Sequence, residues 1–251
     1  MKAARMRVIA SRVLSRLGLA GNSKPPGDLP RRTADAWTYV RHNRLTYLSD
    51  SRLASLARLA ADADRARADA IFIEAGCALG GSTVILSAAK SPSRGLNVYD
   101  VFGTIPAPGA KDGADVHQRY EVIKTGRSRG IDGDQYYGYQ PDLRATVERN
   151  IEGAGFPLSA LRIALVQGLL QDTLAGDEAV ALAHIDVDWY DPVRTCLDRI
   201  VPRLVPGGVV ILDDYRDWSG CGKAVDEYFG AVGRAGFAFD ESAGHLVIRR
   251  S

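Results

Sequence analysis

The chain has 251 residues, 46% of them hydrophobic and 25% charged, and its 32 Lys and Arg against 30 Asp and Glu leave a formal charge of +2. That suits one globular core with an excursion rather than two domains. It excludes a nucleic-acid binder's basic stripe and the ~20-residue apolar run of a membrane span.

The opening stretch, "MKAARMRVIASRVLSRLGLAGN", carries five basic residues and no acid. It predicts a short helical arm against its own protein or a sister subunit, which suggests a homo-oligomer; a membrane-surface helix is the alternative. Without an apolar h-region or cleavage site it does not read as a signal peptide. "GNSKPPGDLPRR" follows as a linker, so residues 1–50 form an arm and linker, and residues 51–251 one domain. Leucine and alanine at helical spacing predict a helix from Ser51 to about Ala66, capped by Asp50 or Ser51. "DAIFIEAGCALGGSTVILSAA" then gives a strand, a glycine-rich turn and a helix, and "GLNVYD" a second strand.

Between about 101 and 138 the sequence turns irregular and polar, an insertion long enough to predict a lid over a site. Its close is marked by Tyr136, Tyr137 and Tyr139. Alternation then resumes: a helix over "PDLRATVERNIEGAG" with Pro141 in its first turn, strand "ALRIALVQG", short helix "LLQDTLAG", strand "AVALAHID", helix "PVRTCLDRIVPRLVPGG", strand "VVILDD", helix "CGKAVDEYFGAVGRAG" and a closing hairpin, "FAFDESAGHLVIRR". Strands alternating with helices predict an α/β domain with a largely parallel sheet, whose ligands gather beyond the carboxyl ends of its strands.

Two apolar strands end in clustered acid: Asp186, Asp188 and Asp191 in "HIDVDWYD", then Asp213 and Asp214 in "VVILDDY". Carboxylates this close raise one another's pKa unless a cation neutralises them. All-oxygen donors suit magnesium better than zinc; the alternative neutraliser is an arginine, Arg194 or Arg216. Gly76, Gly80 and Gly81 in "EAGCALGGS" permit a tight turn and close approach of a ligand, but match neither a dinucleotide fingerprint nor a phosphate loop. Asp100, ending the second strand, is placed to accept from ribose hydroxyls. The two together favour a nucleoside without phosphates. A dehydrogenase fails on the missing fingerprint, and a metal-dependent hydrolase leaves the glycine loop and Asp100 unused. Cys77, Cys196 and Cys221 fall in no zinc or disulfide spacing, which points to a reduced, cytoplasmic setting. No histidine base pairs with Cys77 or Cys221 as a nucleophile.

Taken together, "EAGCALGGS", "QGLLQDTL", "HIDVDWYDPV" and "PGGVVILDDYRDWSGCGKAVDEY" resemble the macrocin O-methyltransferase family, S-adenosylmethionine- and Mg2+-dependent enzymes that methylate sugar hydroxyls on antibiotics. The resemblance runs from about Trp37 to Arg249. It implies a Rossmann-like class I methyltransferase: a mostly parallel seven-stranded sheet with a C-terminal antiparallel hairpin, plus N-terminal helices. It implies adenosylmethionine over Gly76, Gly80, Gly81 and Ser82, with its ribose on Asp100, its adenine near Gly168 and Leu169, and Glu74 and Asp186 at the methionine end. Asp186, Asp213 and Asp214 would hold Mg2+, and Asp188 would be the general base. In an extended segment Asp188 would share a face with Asp186. The acceptor would be a small-molecule glycoside carrying a vicinal diol, with a catechol or phenol as the alternative. His117, in the insertion, is a candidate to reach the acceptor. His184 reads as a packed histidine behind the site, and Trp189 and Tyr190 as pocket walls or packing residues.

Overall fold

The computed structural model describes residues 23–65 and 67–251, so the basic arm over residues 1–22 lies outside the described residues. Helix α1 (Arg31–His42) is followed by α2 (Asp50–Ala63), β1 (Ile71–Ala75), α3 (Gly81–Ala89) and β2 (Leu96–Asp100). The insertion carries α4 (Ala114–Lys124), and the domain continues through α5 (Leu143–Gly153), β3 (Ile163–Gln167), the single turn α6 (Leu170–Thr173), β4 (Val180–Ile185) and α7 (Tyr190–Ile200). It closes with β5 (Leu204–Leu212), α8 (Ser219–Val232), β6 (Phe237–Asp240) and β7 (Leu246–Arg250).

The seven strands form one sheet in the order β3-β2-β1-β4-β5-β7-β6. Pairing is parallel from β3 through to β5, while β7 runs antiparallel to both β5 and β6. The chain steps outward from β1 to β3 and then returns to the other side of β1 for β4. That reversal opens a crevice beyond the ends of β1 and β4, where α/β sheets bind ligands.

Strand periodicity explains the two cores. In β5, Val209 and Ile211 pack into the cluster that holds Trp37, Leu53, Val84 and Leu143, from α1, α2, α3 and α5. Val210 and Leu212 point the other way, to Val193 and Leu197 of α7 and Val225 and Phe229 of α8. Both faces are covered, which is why β4 is buried at every position.

Four boundaries differ from the sequence reading. Helix α2 begins one residue earlier, with Ser49 as its cap, accepting from the Arg52 amide at 3.3 Å. Asp142, not Pro141, organises the start of α5, accepting from the Ala145 amide at 3.2 Å. The helix expected to run to Gly208 stops at Ile200, and "LVPGG" opens β5 instead. The insertion contains the 11-residue helix α4, which escapes pattern reading because it buries only Val116 and Ile123. No helix among the described residues is long and apolar enough to cross a membrane.

Candidate active site

A cavity of about 810 Å3, counted to its open mouth, lies in the crevice and is walled by Gly76, Asp100, Gly168, Leu169, Asp186, Asp188 and Trp189 among others. On the β1 side the backbone shapes it. Gly76 has φ +81°, and a Cβ there would fall 2.1 Å from the Asp186 carbonyl oxygen, so only glycine lets the loop after β1 touch the loop after β4. Asp100 braces that loop, taking the Cys77 amide on Oδ2 at 2.9 Å and the Phe102 amide on Oδ1 at 2.7 Å. Burial pushes its pKa up, against the pull of those amides. Gly168 and Leu169 follow β3 at the cavity edge, where Leu169 is 43% exposed.

The other residues expected to hold the nucleoside lie back from the cavity wall. Glu74 is fully buried, accepts from Thr83 Oγ1, and has His184 Nδ1 at 3.2 Å. It therefore braces α3 against β1 and β4. Gly81 serves another close approach: a Cβ would lie 2.4 Å from the Leu45 carbonyl, to which the Gly81 amide donates at 3.1 Å. Gly80, at φ +85°, caps α3, and Ser82 is buried in its first turn.

On the β4 side, carboxylates take over. Asp186 is tied to β1 through its amide on the Ala75 carbonyl at 2.9 Å, and the chain then folds back sharply, with the Trp189 amide on the Val187 carbonyl at 2.6 Å. Asp188, between them, has φ +58°, a strained three-residue turn of the kind that collects at functional sites. The fold-back, rather than an extended segment, gathers the acids. One carboxylate oxygen each from Asp186, Asp188 and Asp214 lie within 4.8 Å of one another. Three hard oxygen donors suit Mg2+. Asp213, one residue before Asp214, stands apart from this trio. Its Oδ2 accepts from Arg52 Nη1 at 2.8 Å, and its Oδ1 lies 3.7 Å from His245 Nδ1.

The arginine beside the acids is thus Arg52. Arg194 pairs with Asp198 and Arg216 with Glu241. Sequence reading missed Arg52 because it lies 161 positions from Asp213, and on a helix that also carries Arg58 it has no local signal to set it apart. Burial pushes the thiols of Cys77 and Cys221 well up, which leaves them neutral.

The insertion closes one wall. Trp189 lines the cavity and donates from its indole to the Pro106 carbonyl at 3.0 Å, whereas Tyr190 packs behind it with its hydroxyl on Glu227 at 2.5 Å. Asp112 accepts from the Tyr190 amide at 2.8 Å and Asp115 from the Ser219 amide at 2.9 Å. Two insertion carboxylates therefore cap the helices that follow the two acid clusters. Tyr136, Tyr137 and Tyr139 stack together, with rings 4.4 Å and 5.1 Å from Tyr136, and Tyr137 reaches the cavity. Burial, with Tyr136 and the Asp188 charge beside it, raises the Tyr137 phenol well above its ordinary pKa. His117 is exposed on α4 and is not among the cavity's walls.

The sheet order, the C-terminal hairpin and a glycine turn facing an acid on the next strand define a class I methyltransferase fold. It superposes on the O-methyltransferase NovP with a TM-score of 0.67 over 96% of this chain and 98% of that one, at 21% identity. On the calicheamicin methyltransferase CalS11 the TM-score is 0.59, over 96% and 91% of the two chains at 19% identity. The chain belongs to the macrocin-O-methyltransferase (TylF) family, whose model matches residues 5–233. It is 29% identical over 168 residues to the 8-demethyl-8-(2,3-dimethoxy-alpha-L-rhamnosyl)-tetracenomycin-C 4'-O-methyltransferase of Streptomyces olivaceus, covering 64% of this chain and 59% of that protein. It is 37% identical over 90 residues to the mycinamicin III 3''-O-methyltransferase of Micromonospora griseorubida, covering 35% of this chain and 34% of that protein. The matched stretches span less than two thirds of either relative's length.

Proposed function

We propose that this protein transfers a methyl group from S-adenosylmethionine to a sugar hydroxyl on a glycosylated natural product, with Mg2+ held at Asp186 and Asp214 and Asp188 beside them as the base. The observation that carries the reading is one cavity lined by Gly76, Asp100, Asp186 and Asp188, with an Asp214 carboxylate oxygen within 4.8 Å of those of Asp186 and Asp188. Family membership and the named sugar O-methyltransferases among the relatives support it.

Asp100 offers the lone pairs not taken by the Cys77 and Phe102 amides to a ribose. Leu169 and Val101 offer apolar surface to the adenine. A divalent ion would supply the positive charge that lowers the pKa of a sugar hydroxyl, and a vicinal diol would chelate it in a fixed orientation. Asp188, held by its turn at the cavity wall, receives the hydroxyl proton. The Trp189 ring and the 103–112 segment restrict water at the mouth, and residues 101–138 act as the lid that selects the acceptor. Placing the reacting atoms in line is the larger part of the rate.

The test is calorimetric titration of adenosylmethionine, followed by methyl transfer to vicinal-diol glycosides and to catechols, with Mg2+ and with EDTA. Asp188→Asn should lower kcat by about 10²–10⁴-fold while adenosylmethionine binds as before. A folded chain that binds no adenosylmethionine sinks the proposal. Transfer confined to catechols replaces the acceptor class with the phenolic one.

A further inference from the structure

Arg52 lies near the start of α2, far from the acids in sequence, yet one of its nitrogens joins two carboxylates of the β5 loop. Nη1 donates to Asp213 Oδ2 at 2.8 Å and to Asp217 Oδ2 at 2.9 Å. The pair is well buried, with side chains 14% and 2% exposed for Arg52 and Asp213. From the other side, His245 places Nδ1 3.7 Å from Asp213 Oδ1, and its Nε2 is 2.9 Å from Ser55 Oγ, one turn along the helix from Arg52. Helix α2 therefore holds Asp213 through Arg52, with the Ser55-bonded His245 ring packed alongside, while the Asp213 amide is fixed to the Ile185 carbonyl at 3.0 Å, directly before Asp186. Asp214 is the next residue in the chain and belongs to the acid trio.

We propose that Arg52 is a positioning residue for the divalent-cation site: its double hold on Asp213 and Asp217 sets the β5 loop so that Asp214 meets Asp186 and Asp188. This rests on the cation assignment of the proposed function. Four acids at the ends of two neighbouring strands repel one another, and an unbraced β5 loop would swing Asp214 away. A guanidinium holds two carboxylates in one fixed geometry, at less entropy per hydrogen bond than an ammonium.

The electrostatic sign separates positioning from simple neutralisation. A positive charge beside a cation site repels a dication, so if Arg52 only balances charge, removing it tightens metal binding. If it positions the loop, removal loosens binding in spite of that relief.

The experiment titrates Mn2+ into the chelator-treated full chain, following free Mn2+ by electron paramagnetic resonance, with adenosylmethionine titrated into the same samples by calorimetry. Arg52→Gln should bind Mn2+ about ten- to hundredfold more weakly, with adenosylmethionine affinity unchanged, and Arg52→Lys should fall between the two. Wild-type or tighter Mn2+ affinity in an Arg52→Gln chain that still binds adenosylmethionine overturns the inference alone. Wild-type protein that takes up no Mn2+ overturns it together with the cation assignment. If Arg52→Gln does not fold, Arg52→Lys decides, since it keeps the charge but replaces the fixed N–H pair of Nη1 with a freely rotating ammonium: weakened Mn2+ binding supports the role, and unchanged binding ends it.

Discussion

On the β1–β2 side of the cavity, hydrogen-bonded backbone does the shaping: a glycine with no room for a side chain, and a carboxylate spent on two amides. On the β4–β5 side the backbone is strained and side chains do the shaping, with Asp186 and Asp188 brought together by the turn, Asp214 beside them and Asp213 paired with Arg52. The first arrangement suits the neutral sugar and base proposed for it, by fit and hydrogen bonds. The second gathers negative charge, which suits the cation proposed for it. One side is therefore expected to fail by steric change and the other by loss of charge, and substitutions can separate them.

Gly76 joins the two sides, so it carries the largest expected effect. Gly76→Ala puts a methyl 2.1 Å from the Asp186 carbonyl, at a φ of +81° that alanine rarely adopts. We expect a loss of about 3 kcal/mol in stability, read by urea unfolding, with adenosylmethionine and Mn2+ affinities falling together. If only one affinity falls, the sides are less coupled than the shared backbone contact implies.

That contact was not legible in the sequence, although the glycine was. Apolar runs at alternating spacing foretold the sheet, because β4 and β5 are packed on both faces. The acids at the strand ends stood out because charge beside a core run needs a reason. What stayed hidden depended on direction or distance. Glu74 looked like a site acid because it precedes the glycine loop, but it sits on the same side of the strand as Phe72, which turns it into the core against Thr83 and His184. Asp188 does meet Asp186, yet through a fold-back that period-two reasoning did not contain. Arg52 and Asp213 become neighbours only once α2 packs against the end of the sheet.

Asp100→Asn tests whether the β1–β2 side stands alone. The amide keeps one acceptor oxygen but loses the charge, which is worth about 1 kcal/mol per hydrogen bond. Adenosylmethionine affinity should fall about ten- to hundredfold by calorimetry, with Mn2+ affinity unchanged. A parallel loss of Mn2+ would mean that Asp100 shapes the acid side as well, through the Gly76 contact.

The smallest expected effect sharpens the contrast from the outside. Asp112 fastens the insertion to the start of α7, just beyond the strained turn, and Gly220 leaves it room: a Cβ there would come 2.0 Å from Asp112 Oδ1. Asp112→Ala removes a cap worth about 1 kcal/mol. Amide exchange should rise several-fold at Tyr190 and Gly109, whose N–H groups Asp112 holds, and KM for the acceptor should rise while adenosylmethionine affinity stays constant. The reason is geometric, since Asp112 bonds the Gly109 and Tyr190 amides, on the wall formed by the insertion and Trp189. Loss of adenosylmethionine affinity in this variant would place the insertion over the cofactor rather than over the acceptor.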